Sequence, residues 1–133
     1  MIKNEKQYQI TKNLLKEFQD SLLEISQSNA TQMDPVYKKI QEDSIKSQIH
    51  TFEGEIAEYE TLRNGSAPFI SVNSIANFYE ILIKARISKG WTQADLAKRL
   101  EMKEQQIQRY EFGNYSTASL ARIIEIASAL EIR

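Results

Sequence analysis

The stretch that most restricts how this chain can fold runs from Thr92 to Gly113, TQADLAKRLEMKEQQIQRYEFG. Its apolar residues recur at helical spacing in two short blocks. Leu96, Ala97 and Leu100 share one face, and Ile107 and Tyr110 share another. Thr92 stands where a first helix would be capped, with Asp95 placed to complete a capping box. Between the blocks, Glu101-Met102-Lys103 leaves room for a tight turn and one inward anchor, Met102. The second block then turns Lys103, Gln105, Gln106, Gln108 and Arg109 outward. These side chains suit phosphate oxygens and base edges, since arginine pairs with guanine and glutamine with adenine. Two short helices at this spacing form a helix-turn-helix pattern.

In these residues the sequence resembles the phage Cro/repressor (Xre) class. Arg86, Gly90, Thr92-Gln93, Leu96-Ala97, Ile107, Glu111 and Gly113 stand in that register. The likeness continues through Ser119-Leu120, Ile123-Ile124, Ile126-Ala127 and Ala129-Leu130, so that it covers residues 75 to 132. The resemblance implies a DNA-binding domain in which Gln93 holds a backbone phosphate and Glu104, Gln105 and Arg109 face the bases. Gln106 and Gln108 flank them, and Thr92 lies beside the phosphate contact. Glu104 has two readings: it accepts a hydrogen bond from cytosine N4, or it serves as an acid at a helix N-terminus. Arg86 and Glu111 are implied to form a partly buried structural ion pair. Two positions depart from the pattern. Lys103 replaces a capping Ser or Thr and cannot cap, so a phosphate contact is its expected use. Glu101 replaces a glycine at a turn position, where positive φ costs a non-glycine residue on the order of 1 kcal/mol. Asn114, Tyr115 and Ser116, just after Gly113, carry donors suited to phosphates.

The first half reads differently. From Asn4 to Gln27 there is no Gly or Pro, and Tyr8, Thr11, Leu15, Phe18, Leu22 and Ile25 step by three and four. This is a seam of the coiled-coil kind on a helix roughly 36 Å long. After a polar loop over Ser28–Met33, Asp34-Pro35 restarts a helix with an N-cap and a proline at its first position. Ile45, Ile49, Phe52, Ile56 and Tyr59 make a second seam, ended by Asn64-Gly65. Gly54 sits inside this helix, where a close helix approach is one explanation for it. Similar lengths and a short loop imply an antiparallel hairpin. Two helices alone do not bury two seams, so Leu15, Phe18, Leu22, Ile45, Ile49, Phe52, Ile56 and Tyr59 are expected to form a dimer or partner interface.

The Gly-, Ser- and Pro-containing stretch NGSAPFISVN marks a boundary. The expected organisation is therefore a hairpin over 1–63, a linker over 64–73 and the DNA-binding bundle over 74–133, all-α throughout. Phe69, Ile70 and Val72 are expected to pack on a neighbour. A helix from Asn73 or Ser74 to Ser88 would bury Ile75, Phe78, Leu82 and Ala85, and one over Leu120–Leu130 would bury Ile123, Ile124, Ala127 and Leu130.

Composition enters mainly by exclusion. The net charge is −1, but it is divided unevenly. Residues 1–74 carry 8 Lys/Arg against 11 Asp/Glu, and residues 75–133 carry 9 against 7. The more basic half is the one with the motif. There is no cysteine, which removes disulfides and thiolate metal sites and is consistent with a cytoplasmic setting. His50 is the single histidine. The acids Glu53, Glu55, Glu58 and Glu60 read as the solvated face of a helix, and no phosphate-cradling loop appears. No enzyme, metal or cofactor is expected. No apolar run reaches membrane-spanning length.

The expected function is that of a transcriptional regulator acting as a homodimer or higher homo-oligomer on a palindromic operator. The phage repressors add a further helix for dimerisation beyond the point where this sequence ends, which leaves the hairpin as the expected dimer element. A helical partner-binding segment before an Xre domain is also similar to HigA-type antitoxins. That likeness implies an autorepressor with a cognate toxin. A stand-alone repressor, or a protein–protein adaptor without DNA binding, are the alternatives.

Overall fold

The computed structural model describes residues 1–28 and 34–133, so most of the loop expected over Ser28–Met33 lies outside the described residues. Six α-helices follow in order among the described residues: α1 Glu5–Gln27, α2 Pro35–Arg63, α3 Phe78–Ser88, α4 Gln93–Arg99, α5 Glu104–Phe112 and α6 Leu120–Ala129. A 3-10 turn, Ile75–Asn77, leads into α3. No strand occurs among the described residues. None of the described helices is long and apolar enough to cross a membrane.

The chain divides into two compact units, Met1–Glu58 and Tyr59–Arg133. The division falls inside α2 and not at the linker expected over 64–73. Tyr59 and Leu62, both buried, belong to the second unit. Tyr59 was expected on an interface seam, but burial removes it from any such surface.

In the first unit, Asn4 caps α1 by accepting from the Gln7 N–H at 2.9 Å. The Gln7 side chain reaches back to the Lys3 N–H at 2.8 Å, one residue earlier than a standard capping box. At the start of α2, Asp34 accepts from the Val36 N–H at 2.9 Å. The helices run antiparallel. Lys38 Nζ donates to the Ser28 carbonyl at 3.4 Å, and the Phe18 and Phe52 rings meet edge to face at 5.3 Å. Beyond them the Met1 ammonium bonds Glu55 at 3.3 Å. Leu15, Phe18, Leu22, Ile45, Ile49, Phe52 and Ile56 are all only half-buried. Gly54 is exposed, and nothing lies within 4 Å of where a Cβ would sit. It marks no close helix approach.

The second unit has a core of Leu82, Ile83, Ala85, Ile87, Leu96, Ala97, Ile107, Tyr115, Ile126 and Leu130. Its helices end by a repeated device. After α2, α3, α4, α5 and α6 the chain turns through a left-handed residue: Gly65, Gly90, Glu101, Asn114 (followed by a second, Tyr115) and Glu131. The following N–H bonds five residues back in each case, as in Met102 to Ala97 at 2.8 Å and Tyr115 to Tyr110 at 2.7 Å. This is the Schellman closure, which satisfies the last carbonyls of a helix and favours glycine at the left-handed position. Here glycine fills only two of five.

Three apolar expectations change. Ile75 is 87% exposed because the chain at that point is a 3-10 turn, capped by Ser74, which does not continue the face of α3. Phe69, expected to pack on a neighbour, is 77% exposed. In α6 it is Ile126, not Ile124, that is fully buried. Ile123, Ile126, Ala127 and Leu130 form the i, i+3, i+4, i+7 set, and Ile124 falls outside it.

Candidate nucleic-acid interface

The site is built from α4, the turn after it and α5. Thr92 starts α4 through a complete capping box: its hydroxyl accepts from the Asp95 N–H at 3.1 Å, and its own N–H donates to Asp95 Oδ2 at 2.8 Å. That backbone donation, with the side-chain bond from Thr92, holds the Asp95 carboxyl below the usual carboxylate range. Glu101 makes the turn at φ 54°, and half-buried Met102 follows as the anchor. Lys103 occupies the N-cap of α5 and makes no side-chain cap bond, while the Gln106 N–H turns back to the Lys103 carbonyl at 3.0 Å.

What fixes α5 is a charged network in the interior. Arg86 Nε donates to Glu111 Oε1 at 2.6 Å and Arg86 Nη2 to Glu111 Oε2 at 2.9 Å, with both residues buried. A fork-to-carboxylate pair of this kind sets direction as well as distance. Arg86 Nη1 also donates to the Trp91 carbonyl at 2.8 Å, tying the turn before α4 to α3. Gln93 joins from α4, its Nε2 donating to Glu111 Oε2 at 2.7 Å. One N–H of the side chain expected to hold a phosphate is therefore committed to the network. Two cations lie over the Trp91 ring, Arg99 at 3.9 Å and Lys89 at 5.3 Å from its centre. Lys89 in turn donates to Glu131 at 2.7 Å, and this bond holds the Glu131 carboxyl below its ordinary value.

With α5 held in this way, Ile107 and Glu111 are fully buried on one side, and Lys103, Glu104, Gln105, Gln108 and Arg109 are exposed. At about 100° per residue, Arg109 points directly away from the buried pair, with Gln105 and then Gln108 to one side of it. Gln106 is half-buried at the edge of this face. Gln108 Nε2 donates to Glu104 at 3.2 Å, so these two side chains partner each other along the helix. Asn114 and Ser116 are exposed in the turn after α5.

Tyr115 does not belong to this surface. Its side chain is 1% exposed, stacked on Tyr110 at 5.8 Å, and its hydroxyl has no hydrogen-bond partner. Burial, with Glu111 nearby, pushes the phenol well above its ordinary range. It cannot reach a phosphate. The left-handed backbone at Asn114 and Tyr115 swings the ring inward, a reversal that spacing alone does not announce. Phe112, by contrast, which no motif position singles out, is 84% exposed at the end of the outward face of α5.

No curated protein and no solved structure matches the chain. Residues 82–133, the segment containing α4, α5 and α6, match the family described as Helix-turn-helix, a class of DNA-binding domain.

Proposed function

We propose that this chain is a sequence-specific DNA-binding transcriptional regulator that places α5 in the major groove. The observation that carries this reading is the face of α5 opposite Ile107 and Glu111. It presents Gln105 and Arg109, one turn apart and exposed, on a helix fixed by the Arg86–Glu111–Gln93 network. Arg109 pairs with guanine and Gln105 with adenine, and Lys103 and Asn114 contact phosphates on either side. Glu104, bonded to Gln108, orients that glutamine, and Gln106 supports the edge of the face. Gln93 serves the phosphate contact with the N–H that Glu111 leaves available.

The chain works as a homodimer or higher homo-oligomer through its first unit. Support comes from the half-buried seam of Leu15, Phe18, Leu22, Ile45, Ile49, Phe52 and Ile56, joined by exposed Leu23, Val36 and Ile40. A twofold dimer places two copies of α5 about 34 Å apart on a palindromic operator. Within this reading the protein is the antitoxin and autorepressor of a toxin–antitoxin pair, using part of the same apolar surface to hold its toxin. Co-purification of the adjacent gene's product with the full-length chain, and not with a chain altered on that surface, tests this narrower assignment.

The first experiment is fluorescence anisotropy of the full-length protein on the DNA upstream of its own gene, with and without unrelated competitor, over a range of salt. Expected is binding that survives competitor and weakens steeply with salt. Arg109→Ala is expected to lose preference by roughly tenfold or more at one base pair per half-site, in line with the discrimination of a bidentate arginine. Binding abolished by competitor would favour a protein–protein adaptor.

A further inference from the structure

Phe112 is the last residue of α5 and one of the most exposed apolar side chains in the second unit. Single exposed hydrophobic residues are common and need no function. Its direction sets this one apart. Seven residues separate it from Gln105, which at 3.6 residues per turn brings it to within roughly 20° of the same azimuth. It therefore lies within the arc spanned by Arg109, Gln105 and Gln108, on the side away from Ile107 and Glu111. Every other exposed side chain in that arc is a hydrogen-bonding one. The flanking cation, Arg109, stands one turn before it, so whatever meets Phe112 also meets a positive charge.

The apolar group that duplex DNA offers in its major groove is the thymine 5-methyl, set toward the outer part of the base edge and bare of hydrogen-bonding groups. Aromatic and methyl-bearing side chains contact it. Resting on the DNA-binding reading above, we propose that Phe112 is a specificity-determining residue that packs on a thymine methyl. Along the helix axis Phe112 lies about 4.5 Å beyond Arg109 and about 10.5 Å beyond Gln105. At about 3.4 Å per base pair, the thymine falls one to two base pairs from the guanine met by Arg109 and within about three of the adenine met by Gln105. The phenylalanine thus adds a third chemical class to the readout, beside the guanidinium and the carboxamide.

The test uses the full-length protein and the duplex it selects from a randomised library, with each thymine replaced singly by uracil. Uracil pairs as thymine does and lacks only the methyl. The wild type is expected to lose roughly fourfold affinity at one such position per half-site, the size of burying one carbon. Phe112→Ala should bind the thymine duplex more weakly and show no difference between thymine and uracil there. Phe112→Leu should keep part of that difference. Because the side chain is exposed, both variants should melt as the wild type does. Three results would overturn the proposal: a thymine-to-uracil loss unchanged in Phe112→Ala, no sensitive thymine in the wild type, or equal weakening on both duplexes. The last would assign Phe112 to the sugar–phosphate surface or to contact with a second protein. Recovery of no preferred duplex at all would instead sink the DNA-binding reading, and this inference with it.

Discussion

Glu101 shows how a single residue carries strain for the sake of a motif. It sits at φ 54° in the turn between α4 and α5, where its Cβ is crowded and glycine would not be. The helix closure is otherwise sound, with Glu101 N–H on Lys98 and Met102 N–H on Ala97. Glu101→Gly should therefore stabilise the protein by about 1 kcal/mol. The check is urea unfolding: the midpoint should rise with an unchanged m-value, and a lower midpoint would refute the strain. Glu111 lies at the other extreme. Replacing it by Ala leaves Arg86 buried without its carboxylate partner, and a loss of about 3–5 kcal/mol is expected. A loss under about 1 kcal/mol in the same assay would mean that the pair orients α5 without holding the fold. Asp95 gives a pH dependence. Its folded value is depressed by the Thr92 N–H, so its contribution is complete above the ordinary carboxylate value and fades as pH falls through the folded one. An NMR titration should place Asp95 below its value in the unfolded chain, and Asp95→Asn should flatten the acid limb of the stability profile.

At the scale of elements, helix boundaries were largely legible because their signals are local. Asn4, Asp34, Thr92 and Ser119 each accept from a backbone N–H two or three residues on. A cap needs only its own turn, so sequence suffices to find it. Faces were less legible. Ile75 and Ile124 read as core by spacing and are exposed, because periodicity fixes which residues share a side but not which side the neighbours cover. Gly54 was open to explanation as a packing residue, and the space around it is empty. Since it lies mid-helix with ordinary φ, Gly54→Ala should stabilise the protein by roughly 0.5–1 kcal/mol. Thermal melting of the two proteins side by side decides it. A lower melting temperature would point to a close approach in the assembled oligomer.

At the scale of the whole molecule, the two units differ in how they handle apolar surface. The second unit closes a core in which Ile83, Leu96, Ile107 and Ile126 are fully buried. The seam of the first unit stays half-covered from Leu15 to Ile56. Two helices enclose too little volume to bury a double seam. If a second copy covers it, sedimentation of the full-length chain should give a dimer or larger species, and Phe18→Asp with Phe52→Asp should release monomers that retain the helical signal of the second unit. A wild type that remains monomeric at high concentration would turn the seam over to a different partner.

By itself the sequence determined the all-helical class, the ends of most helices and the helix-turn-helix between Thr92 and Gly113. Each of these rests on contacts made within a few residues, which composition and spacing record directly. Tertiary structure decided the rest. It turned Tyr115 into the core through two consecutive left-handed residues, Asn114 and Tyr115, whose effect on direction no periodicity encodes. It drew the Gln93 carboxamide onto Glu111, eighteen residues away. The direction of a side chain depends on the backbone that carries it and on the volume already filled around it, and both are settled only when distant segments meet.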